Sequence, residues 1–138
     1  MTTILIDSGF LVAIFNKADH NHDSASRFAS ENTILGVVPD VVLTEVAYLL
    51  RRDGGMQAVD TFLRSFNTLN LPLECLLSTD LKRAQEIMSG YPESRLDFVD
   101  CCIMALAERM NVTQILTYDR RDFAIVRPRH CEYLELLP

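Results

Sequence analysis

The sequence predicts an α/β domain in which a central parallel sheet is flanked by helices, giving three layers. Three observations predict it. Short apolar runs alternate with longer stretches of helical periodicity, which is a repeated strand-helix order. The short runs are almost continuously apolar, the pattern of strands covered on both faces, and such strands are parallel and joined by helical crossovers. A chain of 138 residues, 49% hydrophobic and 23% charged with only 5 Gly and 5 Pro, forms one domain over residues 1–138 with room for a substantial core.

The elements follow in order. TILI reads as the first strand and SGFLVAIF as the helix after it. ILGVV is a second strand, followed by the helix DVVLTEVAYLLRR, which Gly54-Gly55 separates from another helix. After the turn signal Leu71-Pro72, LECLL is a third strand, with a helix from about Thr79. Gly90-Tyr91-Pro92 marks a further turn, a helix ends near Met110, QILT is the last strand, and Arg127-Pro128-Arg129 ends the well-patterned region.

Composition narrows the function. The longest apolar stretches, such as Leu11 to Phe15, fall far short of the roughly 18 residues that a membrane span needs. The opening MTTILID lacks the basic flank and cleavage site of a secretory signal, so a cytoplasmic location is expected. Cys75, Cys101, Cys102 and Cys131 have no zinc spacing and read as reduced, mostly buried thiols. A net charge of −6 disfavours broad nucleic-acid binding. Any polyanionic ligand therefore needs local help.

Acids in unusual places supply a candidate for that help. In a parallel α/β sheet, sites form beyond the carboxyl ends of the strands. Asp7 follows the first strand and Asp119 the last, although each would also serve as a helix cap or turn residue. On the helix after ILGVV, the apolar stripe Val42, Val46, Leu49 and Leu50 includes Glu45. The stripe Leu96, Val99, Ile103, Leu106, Ala107 and Met110 likewise includes Asp100. Neither acid has a basic residue three or four positions away on its face, and an unpaired carboxylate facing a core costs several kcal/mol. One explanation covers all four: an acidic cluster at the top of the sheet that binds a hard divalent cation, Mg²⁺ or Mn²⁺. Ser8 and Thr117 are placed to hold these carboxylates, and Asp97 suits the first turn of its helix. Arg120 and Arg121, next to Asp119, are candidates for gripping phosphates.

These segments together resemble the PIN-domain family, and within it the VapC-like toxins of toxin-antitoxin pairs. ILIDSGFLVAIFN resembles the family's first strand with its Asp; VVLTEVAYLL resembles the helix carrying its Glu; LDFVDCCIMALAERM resembles its D-x-x-I-x-A helix; and ILTYDRRDF resembles its T-x-D segment. The resemblance implies a three-layer PIN-like fold and metal-dependent cleavage of RNA. It implies metal-site roles for Asp7, Glu45, Asp100 and Asp119, with Thr117 and Ser8 in support, and Asp97 as an additional acid. The implied partners are RNA, a cognate antitoxin protein and a second copy in a homodimer. His20 and His22, where similar chains often carry His, are read as neutral loop residues with no ligand.

Rival classes fare worse. A phosphoacceptor receiver domain needs an acidic pair after the first strand and a late Lys, whereas the two lysines here are Lys17 and Lys82. A haloacid-type phosphohydrolase needs D-x-D where this chain has Asp7-Ser8-Gly9. Two alternatives stay open: a catalytically silent PIN-like module that binds RNA or protein, and a DNA-directed nuclease of the same fold.

Overall fold

The computed structural model describes residues 2–138. Strand β1 (Thr3–Ile6) enters the core at once, with Ile4, Leu5 and Ile6 each 4% exposed or less. It leads through Asp7 into α1 (Ser8–Phe15), which is followed by α2 (His22–Glu31). Strand β2 (Leu35–Pro39) passes through a single 3-10 turn, Asp40–Val42, into α3 (Leu43–Leu69). Then come β3 (Leu73–Glu74), α4 (Ser78–Gly90), α5 (Phe98–Met110), β4 (Gln114–Leu116), α6 (Arg121–Ile125) and β5 (Glu135–Leu137).

The five strands pair in the order β3-β2-β1-β4-β5, and every pairing is parallel. Helices α1 and α3 pack on one another, as do α4 and α5, so the sheet is flanked as expected. Helix α5 is buried from Asp100 through Ala107, more completely than a one-sided stripe would be. Chain direction across the sheet reverses at β1: the first crossover runs to β2 on one side, and β4 and β5 add on the other. That reversal opens a crevice at the carboxyl ends of β1 and β4.

Four local expectations need correction. Helix α2 has no counterpart in the expected order of elements, and His22, expected in a loop, opens it. Its sequence HDSASRFASE buries only Ala25, so it carries too little apolar signal to announce itself. Strand β5 lies beyond Arg127-Pro128-Arg129; three residues paired to an existing edge are too short to show periodicity. The strand expected over LECLL shrinks to Leu73–Glu74, because side chains take over its later backbone groups: Asp40 Oδ1 accepts from the Leu76 N–H at 3.1 Å and Arg109 donates to the Cys75 carbonyl at 3.2 Å. Gly54-Gly55 kinks α3 without ending it. Gly55 sits at φ 72°, ψ −172°, a conformation essentially reserved for glycine.

Among the described residues no helix is long and apolar enough to cross a membrane. All four cysteines are free; Cys101 and Cys102 are buried as expected, whereas Cys131 is half-buried and Cys75 exposed. Burial pushes the Cys101 thiol up to about 12 and the Cys102 thiol to about 11, so both are inert core groups.

Candidate active site

Each predicted acid is delivered by a different element. Asp7 leaves the end of β1 and caps α1, its Oδ1 accepting from the Ser8 N–H at 2.7 Å. The capping reading therefore holds for this residue, which at the same time lies at the carboxyl end of β1. Because Ile6 pairs with Leu116 across the sheet, the next residues along, Asp7 and Thr117, also face each other. The Thr117 hydroxyl, fully buried, donates to Asp7 Oδ2 at 2.7 Å and accepts from the Asp119 N–H at 3.0 Å. One threonine thus ties the acid after β1 to the acid after β4.

Glu45 lies in the first turn of α3, half-buried, and its Oε1 accepts from the Ser8 hydroxyl at 2.8 Å. Asp100 lies in the first turn of α5 and is 4% exposed. Asp97 caps that helix, its Oδ1 accepting from the N–H groups of Val99 at 2.8 Å and Asp100 at 3.3 Å, which fulfils the helix-start role expected of it. Asp7, Ser8, Gly9, Glu45, Asp97, Asp100 and Asp119 line one cavity of about 160 Å³. All four predicted acids share it.

The electrostatics are those of anions forced together. Burial, then Asp7 and Asp119, push the Asp100 carboxyl up to about 9. Burial also raises Asp7, opposed by its hydrogen bonds from Thr117 and Ser8 and reinforced by Glu45 and Asp119. Asp100 Oδ2 is buried without a hydrogen-bond partner. An acceptor of that kind costs about 1–3 kcal/mol unless another group answers it. Among the described residues no three His, Cys, Asp or Glu side chains are drawn close enough together to hold an ion as they stand. Asp7 and Glu45 are instead held by hydrogen bonds to Ser8 and Thr117. The donor set nonetheless suits a hard divalent cation, since the side chains lining it offer oxygen atoms, nearly all from carboxylates, and one of these is left unanswered.

The remaining candidates lie outside the cavity. Arg121 donates to Asp122 Oδ1 at 2.6 Å and to the Ser94 carbonyl, and Arg120 to the Pro138 carbonyl. Both arginines are thus engaged by the protein itself. His20 is exposed, and His22 Nδ1 pairs with the Ala13 carbonyl at 2.7 Å; neither lines the cavity.

Sequence reasoning missed Asp122. It is 3% exposed, and its Oδ2 accepts from the Asp97 N–H at 2.8 Å, so α6 holds the start of the helix that carries Asp100. The signal was present in DRRDF, where a second acid follows Asp119 by three residues and precedes the buried Phe123. Asp122→Ala is expected to destabilise the chain by about 1–3 kcal/mol, because the Asp97 N–H loses its acceptor. Asp122→Asn, which keeps an acceptor, should recover most of that loss. Urea unfolding of the three proteins measures it, and an unchanged midpoint for Asp122→Ala would remove this role.

A parallel α/β domain with acids at the ends of β1 and β4 and on two crossover helices defines a class of carboxylate-lined sites at a sheet switch point. The PIN domain model matches residues 4–127, and the chain belongs to that family. Within the family it is VapC-like: it is 29% identical over 125 residues to Ribonuclease VapC26 of Mycobacterium tuberculosis, covering 91% of this chain and 93% of that protein. The solved structure of M. tuberculosis VapC20, a sarcin-ricin loop cleaving toxin, matches with a TM-score of 0.74 at 21% identity over 81% of this chain and 86% of its own. A chain of VapBC2 from Rickettsia felis, solved bound to a promoter DNA fragment, matches with a TM-score of 0.68 at 17% identity over 98% of this chain and 97% of its own. These likenesses show a common fold.

Proposed function

We propose that this protein is a metal-dependent endoribonuclease, the toxin of a toxin-antitoxin pair, that hydrolyses RNA phosphodiester bonds at the cavity after β1 and β4. The observation that carries the reading is Asp100 Oδ2, a buried acceptor with no partner in a cavity lined by the acids of a PIN domain. Asp7, Glu45, Asp100 and Asp119 would hold the ion. Bound Mg²⁺ or Mn²⁺ supplies the positive charge that activates water and stabilises the attacked phosphate and the leaving oxygen. The chain's own residues do the positioning. Thr117 and the Ser8 N–H fix both oxygens of Asp7, and the Ser8 hydroxyl aims Glu45. In this proposal Arg120 and Arg121 reach substrate phosphate by exchanging their present protein contacts for it.

Likeness to VapC26 favours RNA over DNA and an active enzyme over a silent binding module. Structural neighbours solved as toxin-antitoxin assemblies, including one from Klebsiella pneumoniae with a TM-score of 0.63, support a cognate antitoxin. An Arg or Lys of that partner entering the acidic cavity would oppose the ion by charge and the substrate by bulk. The test is cleavage of matched structured RNA and DNA in Mn²⁺ and in EDTA. RNA should be cut only with the metal; equal cleavage in EDTA, or cleavage of DNA alone, would overturn the reading.

A further inference from the structure

Tyr48 is 66% exposed on α3, and with Arg51 and Arg52 it lines a surface cavity of about 320 Å³. Its position is not arbitrary. Glu45, Tyr48 and Arg52 follow one another at i, i+3 and i+7, so they share one face of the helix. Along the axis, Tyr48 lies about 4.5 Å and Arg52 about 10.5 Å beyond Glu45. Arg52 is held as a fork by Asp53, with Nε to Oδ1 at 2.9 Å and Nη2 to Oδ2 at 3.4 Å. Asp53 in turn accepts from the Asn16 side chain at 3.1 Å. Asn16 ends α1, the helix that begins at Ser8, so two of the helices serving the acid cavity, α1 and α3, also fix this surface. Arg51 is exposed and makes no ion pair among the described residues. No hydrogen bond among the described residues holds the Tyr48 side chain.

An aromatic face flanked by two guanidinium groups matches a nucleotide of single-stranded nucleic acid, its base on the ring and its phosphate on the arginines. Charge complementarity favours RNA over a protein partner here. The chain carries −6 overall and its cavity is acidic, so a polyanion needs local cationic contacts, and Arg51, exposed and without an ion pair among the described residues, supplies one beside the Tyr48 ring. We infer that Tyr48, Arg51 and Arg52 form a binding subsite for an unpaired nucleotide of the RNA substrate, adjacent to the scissile position along α3. This rests on the ribonuclease reading. Tyr48 supplies stacking, Arg51 a phosphate contact, and Arg52 a contact pre-positioned by Asp53.

The test measures affinity for a single-stranded oligoribonucleotide by fluorescence anisotropy on the Asp7→Asn background, which leaves the probe uncut. Tyr48→Ala should weaken binding about tenfold, within the range that one stacked base contributes. Tyr48→Phe should bind like the parent, because the ring rather than the hydroxyl does the work. Arg51→Gln should lower the salt slope of the affinity by about 0.7. Tyr133→Ala, a comparably exposed tyrosine lining a separate cavity, serves as the control and should change nothing. Unchanged RNA affinity in both Tyr48→Ala and Arg51→Gln would overturn the subsite while metal-dependent RNA cleavage by the parent chain still upheld the ribonuclease reading. A parent chain that cuts only DNA would overturn both. If Tyr48→Ala leaves RNA affinity intact but alters the sedimenting mass or weakens antitoxin binding, the surface is a protein contact and the subsite is overturned.

Discussion

Asp7→Asn is expected to leave a folded chain whose metal-stimulated RNA cleavage has fallen about a hundredfold or more. The side chain keeps its shape, and its remaining oxygen can still accept from the Ser8 N–H as Asp7 does at 2.7 Å. The amide nitrogen then faces Thr117, whose hydroxyl turns from donor to acceptor, so α1 keeps its cap and β1 its contact with the β4 end. What disappears is a negative charge from the acid set, on the one carboxylate that both Ser8 and Thr117 hold. Single-turnover cleavage in matched Mn²⁺, alongside thermal unfolding to establish the fold, decides the matter. Full rate in the variant would remove Asp7 from the chemistry.

Asp100 governs how stability responds to pH. Its folded carboxyl is raised to about 9 from the usual 3.8, so the native chain binds that proton more tightly than the unfolded chain does. Stability is complete below the unfolded value and declines as pH rises through the folded one, with a limiting slope of about 1.4 kcal/mol per pH unit for a single group. Asp7, also raised by burial, adds to the same trend. Asp100→Asn should therefore match the parent near pH 4 and become progressively more stable than it towards pH 9. A divalent ion that binds only the native acids reverses the trend, because it favours the charged carboxylate that the proton otherwise neutralises. It stabilises by about 2.7 kcal/mol at a hundredfold excess over Kd. That gain should be largest for the parent at high pH and mostly absent from Asp100→Asn. Thermal unfolding of both proteins at pH 5 and pH 8, with and without Mn²⁺, measures it. Equal metal shifts in the two would take Asp100 out of the site, and a destabilised Asp100→Asn chain at pH 8 would mean that its carboxylate is structurally paired.

Much of the candidate site was legible because its residues break local rules. Glu45 and Asp100 interrupt apolar stripes, and Asp7 and Asp119 stand directly after apolar strands; a charged group in such a place costs free energy that only a shared partner can return. Asp122 was less legible. Its neighbours in sequence are Arg121 and Phe123, and nothing local says that its carboxylate reaches Asp97, 25 residues earlier. Arg120 and Arg121 show the converse, since exposed basic residues beside an acid look available until the chain supplies Ser94, Asp122 and Pro138 as their partners.

The sequence by itself determined the α/β class, the parallel strands, the helices with strong apolar stripes and the identity of four acids, because these follow from patterns spanning a few residues to a few turns. Tertiary structure alone decided the strand order, with β1 between β2 and β4, since parallel pairing depends on crossovers that sequence periodicity does not encode. It alone decided that Thr117 bridges Asp7 and Asp119 and that Ser8 reaches Glu45, contacts between residues 110 and 37 positions apart. Where backbone groups find side-chain partners, as at Cys75 and Leu76, it shortened a strand that its own residues favour. Local propensity sets which elements can form, and long-range hydrogen bonding and burial set where each ends and which side chains meet.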